Sequence, residues 1–278
     1  MLEAILEYKF LQMALGAGVL AGILGAIIGV IVVEKRLVMM SGGIAHTVYG
    51  GVGLGYLLGF EPLIGAFSFA LAAALGMGYI KRKGTIKSDV VVGLFWSLGM
   101  AMGVLFVSMM KGYPPDISSY LFGNILAVGP MDLLILASIT GLVLVLVLVF
   151  FNYWKAYLFD DNFAEIRGIS VALMDYLIFI LIAISVVSML RVVGIILVMA
   201  LLTAPSATAS LLTPSLGKRM AVAGILSIVY SISGLWLSYI FDISSGAAIV
   251  IISVLAYFVV WAGKSIFSRL TSRLTQNH

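Results

Sequence analysis

Cysteine is absent from this 278-residue chain, which excludes disulfides, thiolate metal sites and cysteine nucleophiles. Charge is scarce as well: 10% of the residues are Asp, Glu, Lys or Arg, against about 25% in soluble domains. Familiar catalytic patterns are missing. There is no Gly-x-Ser-x-Gly, His-Glu-x-x-His or Walker-type loop, and no paired carboxylates lie within one hydrophobic run. No basic run is interleaved with aromatics, so nothing points to nucleic acid.

Long stretches without any charged residue fill the chain instead. Leu11–Val33, Leu37–Phe60, Pro62–Ile80, Val90–Met110, Leu133–Trp154, Tyr176–Leu190, Val192–Gly217, Met220–Phe241 and Ile243–Gly263 contain no Asp, Glu, Lys or Arg. A bilayer-spanning helix needs about 20 mainly apolar residues, and most of these runs reach that length. In hydrocarbon only helices and closed barrels satisfy their own backbone, and continuous rather than alternating hydrophobicity selects helices. The fold class is therefore an all-α polytopic membrane protein of about eight to nine transmembrane helices. Loops too short for a soluble domain leave residues 1–278 as one transmembrane domain.

The bases set an orientation. Lys35, Arg36, Lys81, Arg82, Lys83, Lys87, Lys155, Arg167, Lys218, Arg219, Lys264, Arg269 and Arg273 fall on one side when each run is counted as a crossing. Only Lys9, Lys111 and Arg191 fall on the other. The basic side is expected to be cytoplasmic, with the N-terminus outside and the C-terminus inside. MLEAILEYKF lacks a basic n-region and a small-residue cleavage site, so Leu11–Val33 is expected to be a retained first span.

Two places blur the count. Tyr176–Gly217 is charge-free except for Arg191. As one helix it would extend roughly 63 Å, about twice the hydrocarbon thickness. It must fold back, and the corner is expected at Arg191 to Gly194. Ile117–Met131, fenced by Pro114-Pro115 and Gly129-Pro130, is short for a crossing and is expected to be a re-entrant or interfacial segment on the outer face.

Polar and small residues inside the runs are the candidate site. The first run holds Gly16, Gly18, Gly22, Gly25 and Gly29; the second holds Gly42, Gly43, Gly50, Gly51, Gly53, Gly55 and Gly59. Such residues let helices approach closely, either to pack this subunit or to line a narrow path or a sliding seam. His46 lies mid-run with Ser41, Gly42, Thr47, Tyr49 and Gly50 around it. An intramembrane imidazole marks a substrate or proton path, or is a neutral residue hydrogen-bonded to a neighbouring helix; spacing leaves both open. The terminal His278 carries no signal. The 14 methionines show no ligand spacing and read as apolar filler. Every carboxylate lies at a run boundary or in a loop, which argues against a proton-coupled carrier and for an external motor.

Four segments resemble the permease subunit of the zinc/manganese class of ABC importers. They are KRLVMMSGGIAHTVYGGVGLGY at 35–56, FDDNFAEIRGI at 159–169, GIILVMALLTAPSATASLLT at 194–213 and FDISSGAAIVIISVLA at 241–256. The third matches best, to Gly-x-x-Leu-Val-x-Ala-Leu-Leu-x-x-Pro-x-Ala-Thr-Ala. The resemblance implies a non-enzymatic permease in the cytoplasmic membrane of a prokaryote, with no covalently bound cofactor and zinc or manganese as cargo. It implies a second permease copy, cytoplasmic ATPase subunits and an extracytoplasmic metal-binding protein as partners. By the same resemblance Ala204–Gly217 would form a short coupling helix, with Ala204, Pro205, Ser206, Ala207, Thr208, Ala209 and Ser210 at the ATPase contact. Pro205 would break the preceding span at the membrane surface. Phe159, Asp160, Ala164 and Gly168 would form a second cytoplasmic loop. Family members often carry Asp four residues before the His; here Gly42 stands there, which tilts the cargo from manganese toward zinc. The rivals are a permease for a metal chelate, for which the Pro-His…Arg signature is lacking at Pro205-Ser206, and a gradient-driven carrier built from inverted repeats.

Overall fold

Glycine and alanine recur along the first long helix, which packs mainly against three of the later helices. The computed structural model describes residues 7–84, 86–110, 123 and 125–275, with side chains to residue 267. In chain order the helices are α1 (Lys9–Glu34), α2 (Val38–Leu58), α3 (Pro62–Lys83), α4 (Ser88–Ser108), a 3-10 turn (Ile125–Ala127), α5 (Pro130–Val149), α6 (Phe151–Phe159), α7 (Asp161–Ile166), α8 (Val171–Leu212), α9 (Leu216–Phe241) and α10 (Ser245–Thr275). Among the described residues seven helices are long and apolar enough to cross a membrane: α1, α3, α4, α5, α8, α9 and α10. Absent from that set is α2, whose glycines, His46 and hydroxyl residues dilute its hydropathy.

The core forms where small residues allow backbones to meet. Between α8 and α9 on one side and α5 on another lies α1. Gly22 faces Ser227 of α9, Gly25 faces Leu201 of α8, and a Cβ on Gly29 would collide with the Leu202 carbonyl. Between α3 and α4 lies α2, where Gly51 meets Gly65 and Gly53 meets Gly103. Most glycines of the first two runs thus seat this chain's own helices, as close packing without a hydrophobic drive requires.

Helix α8 reverses direction at Gly194, whose φ of 74° and ψ of 161° lie outside the helical region and suit only glycine. Fixed points on other helices establish the reversal. Asp175 pairs with Arg82 at the end of α3, whereas Arg191 pairs with Glu61 just before the start of α3. Beyond the corner, Leu201 and Ser206 pack on Gly25 and Gly29 of α1, running toward its Glu34 end. The expected corner between Arg191 and Gly194 is the one observed.

Two boundary expectations change, and a third falls partly outside the described residues. Pro205 does not end a span: it is buried inside α8, which continues to Leu212. Proline lacks the N–H that would bond the Leu201 carbonyl. The α1 backbone packs against that freed carbonyl, with the Gly25 Cβ position 3.2 Å from it. Neighbouring helices make proline tolerable in such a place. Leu133–Trp154 is not one helix, because α5 stops at Val149 and the Phe150 turn opens α6. Freedom from charge does not mark that boundary; the aromatic cluster after it does, as expected at a membrane–water interface. Residues 117–122 and 124 of Ile117–Met131 lie outside the described residues. Of the rest, Ile125–Ala127 forms a 3-10 turn and Pro130 is the first residue of α5, with Asp132 accepting from the Gly129 N–H at 3.1 Å.

Candidate functional site

Two regions hold the residues singled out as candidates. The first surrounds His46 on α2. Its ring stacks on Trp96 of α4, centroids 3.9 Å apart and planes 11° from parallel. Its Nδ1 is buried and has no protein hydrogen-bond partner. The neighbouring hydroxyls are already engaged: Ser41 donates to Val38 O at 2.8 Å, and Thr47 lies 2.7 Å from Gly43 O and 3.1 Å from Phe95 O. Ser41, Gly42, Thr47 and Gly50 are buried, Gly50 under Phe69 and Gly99, while His46 and Tyr49 keep partial exposure. Of the residues singled out around His46, only Tyr49 therefore shares its partial exposure.

Gly42 sits one turn before His46, and the space a side chain would occupy there is taken by Met199 of α8. The Met199 methyl carbon lies 3.2 Å and its sulfur 3.8 Å from the Gly42 Cβ position, with Trp96 at 3.9 Å. Neither Trp96 nor Met199 was marked by the sequence, because each reaches α2 from a distant helix. Among the described residues no group of three or more His, Cys, Asp or Glu could hold a metal ion.

The second region lies at the end of the bundle where the bases cluster. Glu34 pairs with Arg219, and the adjacent Lys35 pairs with Asp161 at 2.5 Å. The Lys35 ammonium also lies 3.6 Å from the centroid of the Tyr157 ring. Tyr157 donates to Asp175 at 2.6 Å, and Asp175 stands 3.6 Å from Arg82. Burial and then the Asp175 carboxylate push the Tyr157 hydroxyl far above its usual range, so it stays protonated and donates. This network joins α1, α3, α6, α7, α8 and α9 at one level.

Beside it opens a cleft of about 940 Å³ lined by Glu34, Lys155, Phe159, Phe163, Arg167 and Arg219, among others. Phe159 in this lining is 80% exposed, and Ile166, the chain neighbour of Arg167, is 85% exposed. Asp160 caps α7 by accepting from Phe163 N–H at 2.9 Å, Ala164 is buried, and Gly168 takes a left-handed φ of 75°. Within the Ala204–Ser210 stretch, Ala204, Pro205, Ser206, Thr208 and Ala209 are buried, and Ala207 and Ser210 are partly so. Thr208 and Ser210 donate back to Ala204 O and Ser206 O in their own helix. The exposed part of the α8–α9 connection is Leu212, Pro214, Ser215, Gly217 and Lys218.

Comparison with known proteins gives a consistent neighbourhood. The family model described as the ABC 3 transport family matches residues 7–264. A Synechocystis sp. membrane protein described as uncharacterized is 40% identical over 262 residues, covering 93% of each chain. The "Manganese transport system membrane protein MntC" of Listeria innocua is 38% identical, covering 94% of this chain and 92% of its own. Among solved structures, "PsaBC from Streptococcus pneumoniae in complex with Fab" superposes with a TM-score of 0.84 at 31% identity, covering 94% of both chains.

Proposed function

The chain belongs to the ABC 3 transport family, and on that premise we propose that it is the permease of an importer for a divalent transition metal, driven by separate cytoplasmic ATPase subunits. As a member of this family it is a multi-pass membrane permease, and ATP hydrolysis resides in another subunit. The 38% identity to a manganese-system membrane protein supports a metal cargo, manganese or zinc. The observation that carries the reading in this chain is the unpaired, buried Nδ1 of His46. An imidazole nitrogen left without a partner in an apolar bundle is costly, and ligation of a passing cation would recover that cost.

Nine crossings follow on this reading: the seven long apolar helices with α8 passing twice, plus α2. The basic end is cytoplasmic, the start of α1 outside and the end of α10 inside. The cleft between α6–α7 and the α8–α9 connection receives the ATPase, with Phe159 and Ile166 as apolar contacts. Ala204–Ser210 transmits that contact from inside the bundle rather than touching the ATPase itself, because most of it is buried. Two permease copies and an extracytoplasmic metal-binding protein complete the assembly.

The test is uptake into proteoliposomes holding the permease with and without its ATPase. Zinc or manganese should enter only with both subunits and ATP. Metal flux through the permease alone would overturn the reading. His46→Ala should lower uptake roughly 10–100-fold, the scale reported for loss of metal-site partners, with assembly intact.

A further inference from the structure

A sulfur atom stands one helical turn from the His46 position, and it comes from a helix that only folding places there. The Met199 sulfur lies 3.8 Å from the Gly42 Cβ position, one helical turn from His46 on the same helix. Positions four apart on a helix are neighbours, about 5–6 Å between Cβ atoms. A thioether on three rotatable bonds can span that separation. Trp96 borders both positions, stacked on the imidazole and 3.9 Å from the Gly42 Cβ position. His46 and Met199 are both partly exposed, as is Tyr49, while the surrounding Ser41, Gly42 and Thr47 are buried. With no metal-binding cluster of His, Cys, Asp or Glu among the described residues, no carboxylate set competes.

Resting on the permease reading above, we infer that Met199 is a specificity-determining residue, pairing its thioether with His46 to favour a soft, nitrogen- and sulfur-accepting d10 cation of the zinc type over manganese. Imidazole suits zinc and thioethers suit soft ions, whereas manganese favours carboxylate, carbonyl and water oxygens. Both donors are neutral, so the ion is held without an anionic ligand and is released onward readily. Methionine 199 is thus not filler, although nothing in its spacing along the chain says so.

Zinc X-ray absorption on the full-length chain in nanodiscs tests this directly. The chain has no cysteine, so any sulfur scatterer must be methionine. Wild type should show one sulfur neighbour beside nitrogen. Met199→Leu, close in volume, should lose the sulfur and keep the nitrogen; His46→Ala should lose the nitrogen. Zinc bound by nitrogen and oxygen alone, sulfur surviving in Met199→Leu, or no zinc bound at all would overturn the inference. In parallel, Met199→Leu in the permease–ATPase proteoliposomes should lower the zinc-to-manganese uptake ratio about tenfold. An unchanged ratio would also overturn it. Absence of metal uptake by wild type would sink the permease reading instead, a separate outcome.

Discussion

Gly51 of α2 and Gly65 of α3 lie back to back, each so close that a Cβ on one would collide with the carbonyl of the other. Neither contact can relax by turning a side chain, since backbone meets backbone. Alanine at either position should push α2 and α3 apart at a cost of about 1–3 kcal/mol. A fall in the detergent melting temperature for Gly51→Ala and Gly65→Ala, but not for Gly93→Ala, where a Cβ meets open space, checks this. Equal melting of all three variants would contradict it.

Gly194 sets the reversal of α8 at φ 74° and ψ 161°. That region is essentially closed to side-chain-bearing residues, and occupying it costs about 1–3 kcal/mol. Gly194→Ala should lower folded yield and thermal stability, whereas Gly141→Ala, which faces open space on α5, should not. Size-exclusion profiles of the two variants in the same detergent decide the matter.

Tyr157 gives a pH dependence with a defined sign. Its folded hydroxyl is held far above the ordinary tyrosine value of about 10 by burial and by Asp175. Above that pH the unfolded chain loses the proton while the folded chain keeps it, so stability falls as pH rises. Melting temperature should therefore decline from pH 9 toward pH 11, and Tyr157→Phe should decline less steeply. Parallel slopes for the two proteins would refute the assignment.

Arg219 and Glu34 are each only partly exposed, and Arg219 also donates to Thr213 O at 2.7 Å. Arg219→Glu should cost about 1–3 kcal/mol, between the values for exposed and buried pairs. Glu34→Arg combined with Arg219→Glu should recover part of that loss. A double variant no more stable than Arg219→Glu alone would show that the pair does not couple.

The sequence carried the long apolar helices and the corner well, because both follow from quantities that are local in the chain. Charge-free length marks a span, and a run twice the membrane thickness must turn where Gly194 permits. His46 was legible for the same reason: one imidazole in a long apolar run stands out. What surrounds it was not. Trp96 and Met199 lie roughly 50 and 150 positions away and meet α2 only through helix packing, which no periodicity encodes. Pro205 was misread as a boundary because a proline ends an isolated helix. Its tolerance depends on Gly25, a residue of another helix that packs against the freed carbonyl. The charged network was hidden likewise, since Lys35, Tyr157 and Asp175 are neighbours only in space.

Glu34 and Lys35 are consecutive, yet they grip different arms, Arg219 at the head of α9 and Asp161 at the head of α7. Arg36 follows with a left-handed φ of 56°, and α2 starts directly after Leu37. A displacement of either arm would thus have only a few peptide units to cross before it reached the root of α2. The imidazole rides on that rod, so it would swing with whatever engages the charged rim, and no long lever is needed to reach it.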